Sequence, residues 1–354
     1  MNRAVDLADR LAMPALKLLA AINVLFFLSF LWMAALSVGQ ARAETPTCTG
    51  VDLMQALRQD DPAAAGKIEA DARATPNGNG LLWKIEKAGL ATSYLFGTMH
   101  MTDPRVTALP PDAQAAFDAS STVVIETTDV LDQAKMMAAI GQKPELMMFT
   151  DQTTLQSLLS PEDAAAVEAA LAERGIPLAS VAKMKPWMLS AMVALPACEM
   201  ARKAAGLPVL DVKLAKDAEA AGKELRGLET VTDQLEAMAS LPMDFHIRGL
   251  VDTLKLGDRM DDVVESMIAL YVRGEVGAIW PLFRVVLPNG DEEDSYAAFE
   301  EVMVTARNKT MAREAEPILQ EGGAFVAVGA LHLPGAEGLV ELLRKAGYTV
   351  TPAA

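Results

Sequence analysis

One pattern occurs twice in this chain and limits the folds open to it. An apolar, strand-like run reaches a glycine, a histidine follows three residues later, and then come a loop, a helix and a short strand. The first copy runs from Tyr94 to Glu126 and opens YLFGTMH; the second runs from Phe325 to Val350 and opens FVAVGALH. Strands alternating with helices point to an α/β core with a mixed sheet, built from these two units. Two separated copies, with no fixed short period between them, exclude a solenoid.

The segments around the units can be read from local signals. Val51 to Ala74 is alanine-rich and helical in pattern, ending at the turn-like PNGNG of Pro76 to Gly80. LLWKIEKAGLATSYLFG reads as a hairpin turning at Lys87-Ala88-Gly89. Pro110-Pro111 opens a helix through Ala119, and STVVIETTD contains a buried strand. About 130–210 the pattern is helical, an insertion between the two units. Within it Ser160 is placed to cap a helix that starts with Pro161, and Gly175 with Pro177 ends it. Lys223 to Glu229 is strand-like, and helices follow over Thr230–Met238, Phe245–Arg273 and Ala297–Gln320. The acidic run Asp291 to Asp294 follows the turn Asn289-Gly290 and reads as a solvated loop.

The ends and the charge place the chain in the cell. Arg3, Arg10 and Lys17 precede an uncharged run from Leu18 to Val38, and Ala41-Arg42-Ala43 follows. Residues 1–43 therefore read as a secretory signal, or, if uncleaved, as a membrane anchor, since the run is long enough to span a bilayer. Either way the remainder, 44–354, is expected in the periplasm or outside the cell. The formal charge of the whole chain is −16, which argues against nucleic acid or an anionic membrane surface as partner. Both cysteines, Cys48 and Cys198, lie beyond the signal, and an even pair in an oxidising compartment is a disulfide candidate, with two buried free thiols as the alternative.

The chemistry rests on four side chains that end predicted strands. There are only three histidines in the chain, and two of them, His100 and His332, sit in the matching contexts. Glu126 closes VVIE, and Glu229 closes LRGLE. In an open α/β sheet, functional groups gather at the carboxyl ends of the strands. Two imidazoles and a carboxylate form an open divalent-metal site with room for water or substrate, the pattern of catalytic zinc sites. His100, His332 and Glu126 are assigned as ligands, with Glu229 as general base or fourth ligand; the sequence does not separate the two glutamates' roles. The competing reading is plain: a Gly-x-x-His is a weak motif, and each glutamate can simply cap or salt-bridge a helix. His246 lacks the matching context and reads as structural or exposed. The 20 methionines have apolar neighbours at helical spacing and read as core rather than a copper-handling surface. No G-x-S-x-G elbow, H-E-x-x-H helix or phosphate loop is present. Arg307-Asn308 reads equally as a substrate clamp and as a buried or solvated structural pair.

These residues carry a resemblance. CTGVDL, YLFGTMHMTDPRVTALPP, VVIETTD, the KPW of Lys185 to Trp187, LDVKLAKDAEAAGKELRGLETVTDQL, ARNKTMA and FVAVGALHLPGAEGLVELLRKAGYTV together resemble the TraB/GumN family, related to the Tiki metalloproteases. The resemblance covers nearly all of 44–354. It implies a single mixed α/β domain of the erythromycin-esterase/ChaN-like type, with the paired Gly-x-x-His motifs and a glutamate forming the site. It implies divalent-metal-dependent peptidase activity supported by manganese or cobalt; zinc fits the same donors. On the family pattern His100, His332 and Glu126 carry over, while Glu229 lies in the matching GLET segment. The chain departs by having Ala306 before Arg307, where a glutamate is common. The expected function is a secreted or periplasmic metal-dependent hydrolase, peptidase-like, acting on a peptide or other carbonyl-containing substrate. The alternatives are a noncatalytic envelope binding protein and a small-molecule esterase.

Overall fold

A computed structural model of the chain describes residues 48–287 and 293–353. The predicted secretory segment lies outside the described residues, as do Asp291 and Glu292 of the acidic run; a helix begins at Glu293.

Six strands form one mixed sheet: β1 Leu82–Glu86, β2 Ser93–Thr98, β3 Thr122–Ile125, β4 Glu224–Gly227, β5 Ala324–Gly329 and β6 Thr349–Pro352. Their order is β4-β3-β5-β2-β1-β6. β5 lies between β3 and β2 and runs parallel to both; β4 is parallel to β3. β1 is antiparallel to β2 and to β6, so it is the strand that runs against the rest. The expected mixed α/β architecture is what the chain adopts.

Period-two alternation explains why the sheet is covered on both faces. Phe96, Val123, Ile125, Phe325 and Ala327 pack to one side, with the helices Leu210–Ala220 and Pro111–Ala119. Their neighbours Leu95, Val124, Val326 and Val328 pack to the other, against the helices Ala306–Glu321 and Leu339–Lys345. Every residue of β3 is buried, which is why TVVI carries no polar alternation. A separate small core forms among Leu155, Val167, Leu171, Leu189 and Leu250, between the helices of the stretch after β3 and the helix Met243–Leu256.

Local signals set the helix ends. Ser160 accepts from the Asp163 amide, with Pro161 in the first turn. Thr230 and Asp233 form a reciprocal capping box at the start of Val231–Ser240. In place of the helical stretch expected over Phe245–Arg273, Gly257, at φ 52°, separates two helices, Met243–Leu256 and Arg259–Val272. Cys48 and Cys198 are joined in a disulfide across a sequence separation of 150 residues. Among the described residues no helix is long and apolar enough to cross a membrane.

Candidate metal centre

The strand register brings the two motifs together. Gly97 pairs with Val328 and Thr98 with Gly329, so the parallel strands β2 and β5 end level with each other. Ile125 of β3 pairs with Ala327 on the other side of β5. His100, His332 and Glu126 therefore leave three adjacent parallel strands at one edge. All three line a cavity of about 340 Å³, together with Arg307.

The glycines of the motifs serve different ends. A Cβ on Gly97 would lie 2.7 Å from Leu333 Cδ1 and 3.0 Å from the Cα of Ala330. Gly97 thus lets β2 press against the turn that carries His332. A Cβ on Gly329 would lie 3.2 Å from Glu126 Oε1 and 3.4 Å from His332 Cδ2, so this glycine keeps open the space beside the donor atoms.

Each imidazole is held by one nitrogen. His100 Nδ1 lies 2.7 Å from Asp211 Oδ2, and the hydroxyl of Thr98 donates to the other oxygen of Asp211. His332 Nδ1 lies 2.7 Å from Asn308 Oδ1, while the Asn308 amide donates to the Glu337 carbonyl. An oxygen acceptor at Nδ1 places a proton there, so that a ring in its neutral form keeps Nε2 as the free lone pair, the tautomer a metal ligand requires. His332 Nε2 lies 3.8 Å from Glu126 Oε1.

Glu126 is buried, yet it is surrounded by donors. Its Oε1 accepts from the Gly329 amide at 2.7 Å; its Oε2 accepts from Arg307 Nη2 at 2.7 Å and from Gln234 Nε2 at 3.0 Å. Burial pushes its pKa up, but His332 and His100, both protonated in that acid range, with Arg307 and the Gly329 N–H outweigh that and bring it down to about 2. Burial lowers His332 to about 4, against the pull of Glu126, so this ring is neutral near pH 7. His100, whose side chain is 62% exposed, is held above its ordinary value chiefly by the Asp211 charge.

Glu229 stands apart from the cavity. Its carboxylate accepts from Arg307 Nη2 at 2.7 Å and from Arg307 Nε at 3.1 and 3.2 Å, and it lines a separate open pocket with Thr230 and Asp233. Arg307 therefore cross-links the two glutamates, which is the structural-pair half of the reading given to Arg307-Asn308. Among the described residues no three His, Cys, Asp or Glu side chains are gathered closely enough to grip an ion as they stand. The donor chemistry nonetheless fits a divalent ion: two tethered imidazoles, an ionised carboxylate, and the space that Gly329 leaves beside them.

The sequence profile of the TraB/PrgY/gumN family matches residues 81–352. The chain belongs to that family. Metalloprotease TIKI1 of Danio rerio is 27% identical over 321 residues, covering 78% of this chain and 64% of that protein. Metalloprotease TIKI1 of Homo sapiens is 26% identical over 321 residues, 77% of this chain and 61% of that protein. The chain thus spans a little under two thirds of these relatives' length. Metalloprotease TIKI homolog of Nematostella vectensis is 24% identical over 332 residues, 79% of this chain and 68% of that protein. No solved structure matches. All four side chains singled out from strand ends lie within the TraB/PrgY/gumN match, as do their partners.

Three of those partners were not assigned from sequence. Asp211 stands in the first turn of the helix Leu210–Ala220 and is buried, and an acid set among the apolar residues of PVLDV is the signal that marks it. Asn308 was named beside Arg307 without a role toward His332. Gln234, one turn into its helix, joins Glu126 to Glu229, and nothing in its local sequence points there.

Proposed function

We propose that this TraB/PrgY/gumN protein is a divalent-metal-dependent hydrolase of peptide bonds that works outside the cytoplasm. The observation that carries the reading is the pair of imidazoles, one from each repeat of the motif, each tethered through Nδ1 and opening onto one cavity with Glu126. The relatives named as metalloproteases support the same reaction class.

His100 Nε2, His332 Nε2 and Glu126 Oε1 would hold the ion. When bound, such an ion acidifies a coordinated water and polarises a substrate carbonyl. The chain's own part is to position. Asp211 and Asn308 fix the ring orientations; the Gly329 amide and Gln234 fix the carboxylate. Only Glu126 of the two glutamates lines the cavity, and Glu229 acts through Arg307 as a positioning residue. Arg307 offsets negative charge that two close carboxylates would otherwise concentrate. The walls of the cavity are otherwise largely apolar, including Met99, Met101, Ile279 and Trp280, which keeps bulk water from one side of the reacting centre. The Cys48–Cys198 disulfide supports an oxidising compartment, and the acidic balance of the chain supports a partner other than nucleic acid.

Elemental analysis of the full-length protein beside His100→Ala and His332→Ala tests the ligand set. The expected result is one divalent ion per chain in the parent and loss of it in both variants; equal metal content in all three removes the assignment. A digest of a peptide mixture with the metal so identified, read by mass spectrometry, then tests the reaction.

A further inference from the structure

A second cavity, of about 390 Å³, opens between the helices Met243–Leu256 and Arg259–Val272, and it meets the candidate centre at Met99, Met101 and Met267, which line both. Each cavity is within the size range of small-ligand sites. Beyond the shared methionines this chamber is bounded largely by apolar side chains such as Phe245, Met260 and Val263. The exposed Arg248 and the half-buried Asp252 also line it, and the hydroxyl of Thr253 is already given to the Gly249 carbonyl.

Gly249 gives the chamber its meaning. It lies inside the helix Met243–Leu256, where glycine is worse than alanine. A Cβ placed there would meet nothing within 4 Å, so no packing neighbour requires the missing side chain. Gly249 lines the chamber with open space beside it, so a larger side chain at this position has room to narrow the chamber. The walls shared with the centre are methionines, whose unbranched side chains can shift to admit an occupant. A peptide main chain would bury N–H and C=O groups without partners in such a space, at a cost an apolar side chain does not carry.

We propose that this chamber is a specificity subsite: it receives a large apolar side chain of a peptide substrate whose main chain lies across the His100–Glu126–His332 cavity. The inference rests on the hydrolase reading for the identity of the neighbouring centre, but its test reads binding. N-acetylated, C-amidated hexapeptides that differ at one position, Leu, Phe, Ala or Asp, are titrated calorimetrically into the full-length protein and into Gly249→Ala, Gly249→Leu and Gly249→Phe. The parent is expected to bind the Leu and Phe peptides about tenfold more tightly than the Ala peptide, the scale of burying the extra apolar surface. That preference should persist in Gly249→Ala, shrink in Gly249→Leu and vanish in Gly249→Phe. The graded series still decides the matter if the largest variant fails to fold. A parent that does not discriminate, or a preference untouched as residue 249 grows, overturns the subsite. Peptides that bind with this preference but are never cleaved with the protein's metal present would remove the hydrolase reading and leave the chamber standing. Cleavage without the preference would do the reverse.

Discussion

Arg307 Nη2 lies 2.7 Å from an oxygen of Glu126 and 2.7 Å from an oxygen of Glu229, so one buried guanidinium joins the glutamate that lines the cavity to the one that does not. Both carboxylates are nearly fully buried, and Arg307 is only 12% exposed. Removing one partner of such a group leaves charge buried without compensation. Arg307→Met should therefore cost about 3–5 kcal/mol of stability. Adding Glu229→Gln to it should recover part of that loss by removing one of the two repelling charges. Urea unfolding of the parent, the single variant and the double variant measures both effects. A single variant as stable as the parent would mean that the bridge holds nothing.

The tethers at Nδ1 make a separate prediction about metal binding. Asp211→Asn keeps the shape of the partner to His100 but removes its charge and offers a donor where an acceptor stood. Asn308→Leu removes the partner of His332 outright. Each change should weaken binding of the divalent ion about 10- to 100-fold, the usual effect of losing an outer partner of a ligating histidine. Competition against a chelator of known affinity reads this directly, with no substrate needed. Unchanged affinity in both would show that the tethers do not orient ligands.

What the sequence disclosed and what it hid divide along physical lines. Leu95-Phe96-Gly97 and Val326 to Gly329 are legible as strands because short apolar runs ending in glycine have few other uses, and the matching histidines follow from that. Ser160 and Thr230 announce helix starts through local hydrogen bonds that the adjacent residues supply. By contrast, β6 pairs with β1, and β5 inserts between β3 and β2; no local signal fixes those neighbours, because strand order is set by how helices cover the two faces. Asp211 and Asn308 belong to helices distant in the chain from the histidines they hold. Their roles depend on that tertiary packing, and so do the bonds by which Arg307 joins Glu126 to Glu229.

The loop after His100 is pinned from the helix that carries Cys198. Glu199, the next residue, is fully buried and accepts from the Thr102 amide at 2.8 Å and the Thr102 hydroxyl at 2.7 Å. Arg202 of the same helix reaches Asp103 at 3.3 Å. Replacing both Cys48 and Cys198 by Ser should lower stability by about 2–4 kcal/mol, since the bridge closes a long loop. Glu199→Ala should cost about 1–3 kcal/mol, because it leaves the buried Thr102 amide without its acceptor. Differential scanning calorimetry of the three proteins checks the ranking. If Glu199→Ala melts with the parent, this carboxylate does not secure the loop.

His246 supplies the pH dependence. It is buried on the helix Met243–Leu256, and among the described residues its Nε2 has no hydrogen-bond partner. Burial, with the Lys185 charge, holds its pKa below the ordinary 6.5, although the carbonyls of Leu241 and Met238 pull the other way. In the unfolded chain the ring takes up a proton as pH falls through about 6.5, while in the folded protein it stays neutral to a lower pH. The unfolded state then binds more protons, so stability is fully present above about pH 6.5 and declines as pH falls toward the folded value. The slope from this one group cannot exceed about 1.4 kcal/mol per pH unit. Unfolding free energies of the parent and of His246→Phe, compared at pH 7.5, 6.5 and 5.5, isolate it from the carboxylates that titrate in both. The parent should lose stability relative to the variant as the pH is lowered across that range. A difference that stays flat, or that moves in the parent's favour toward acid, would mean that the ring is charged inside the fold or is not buried there.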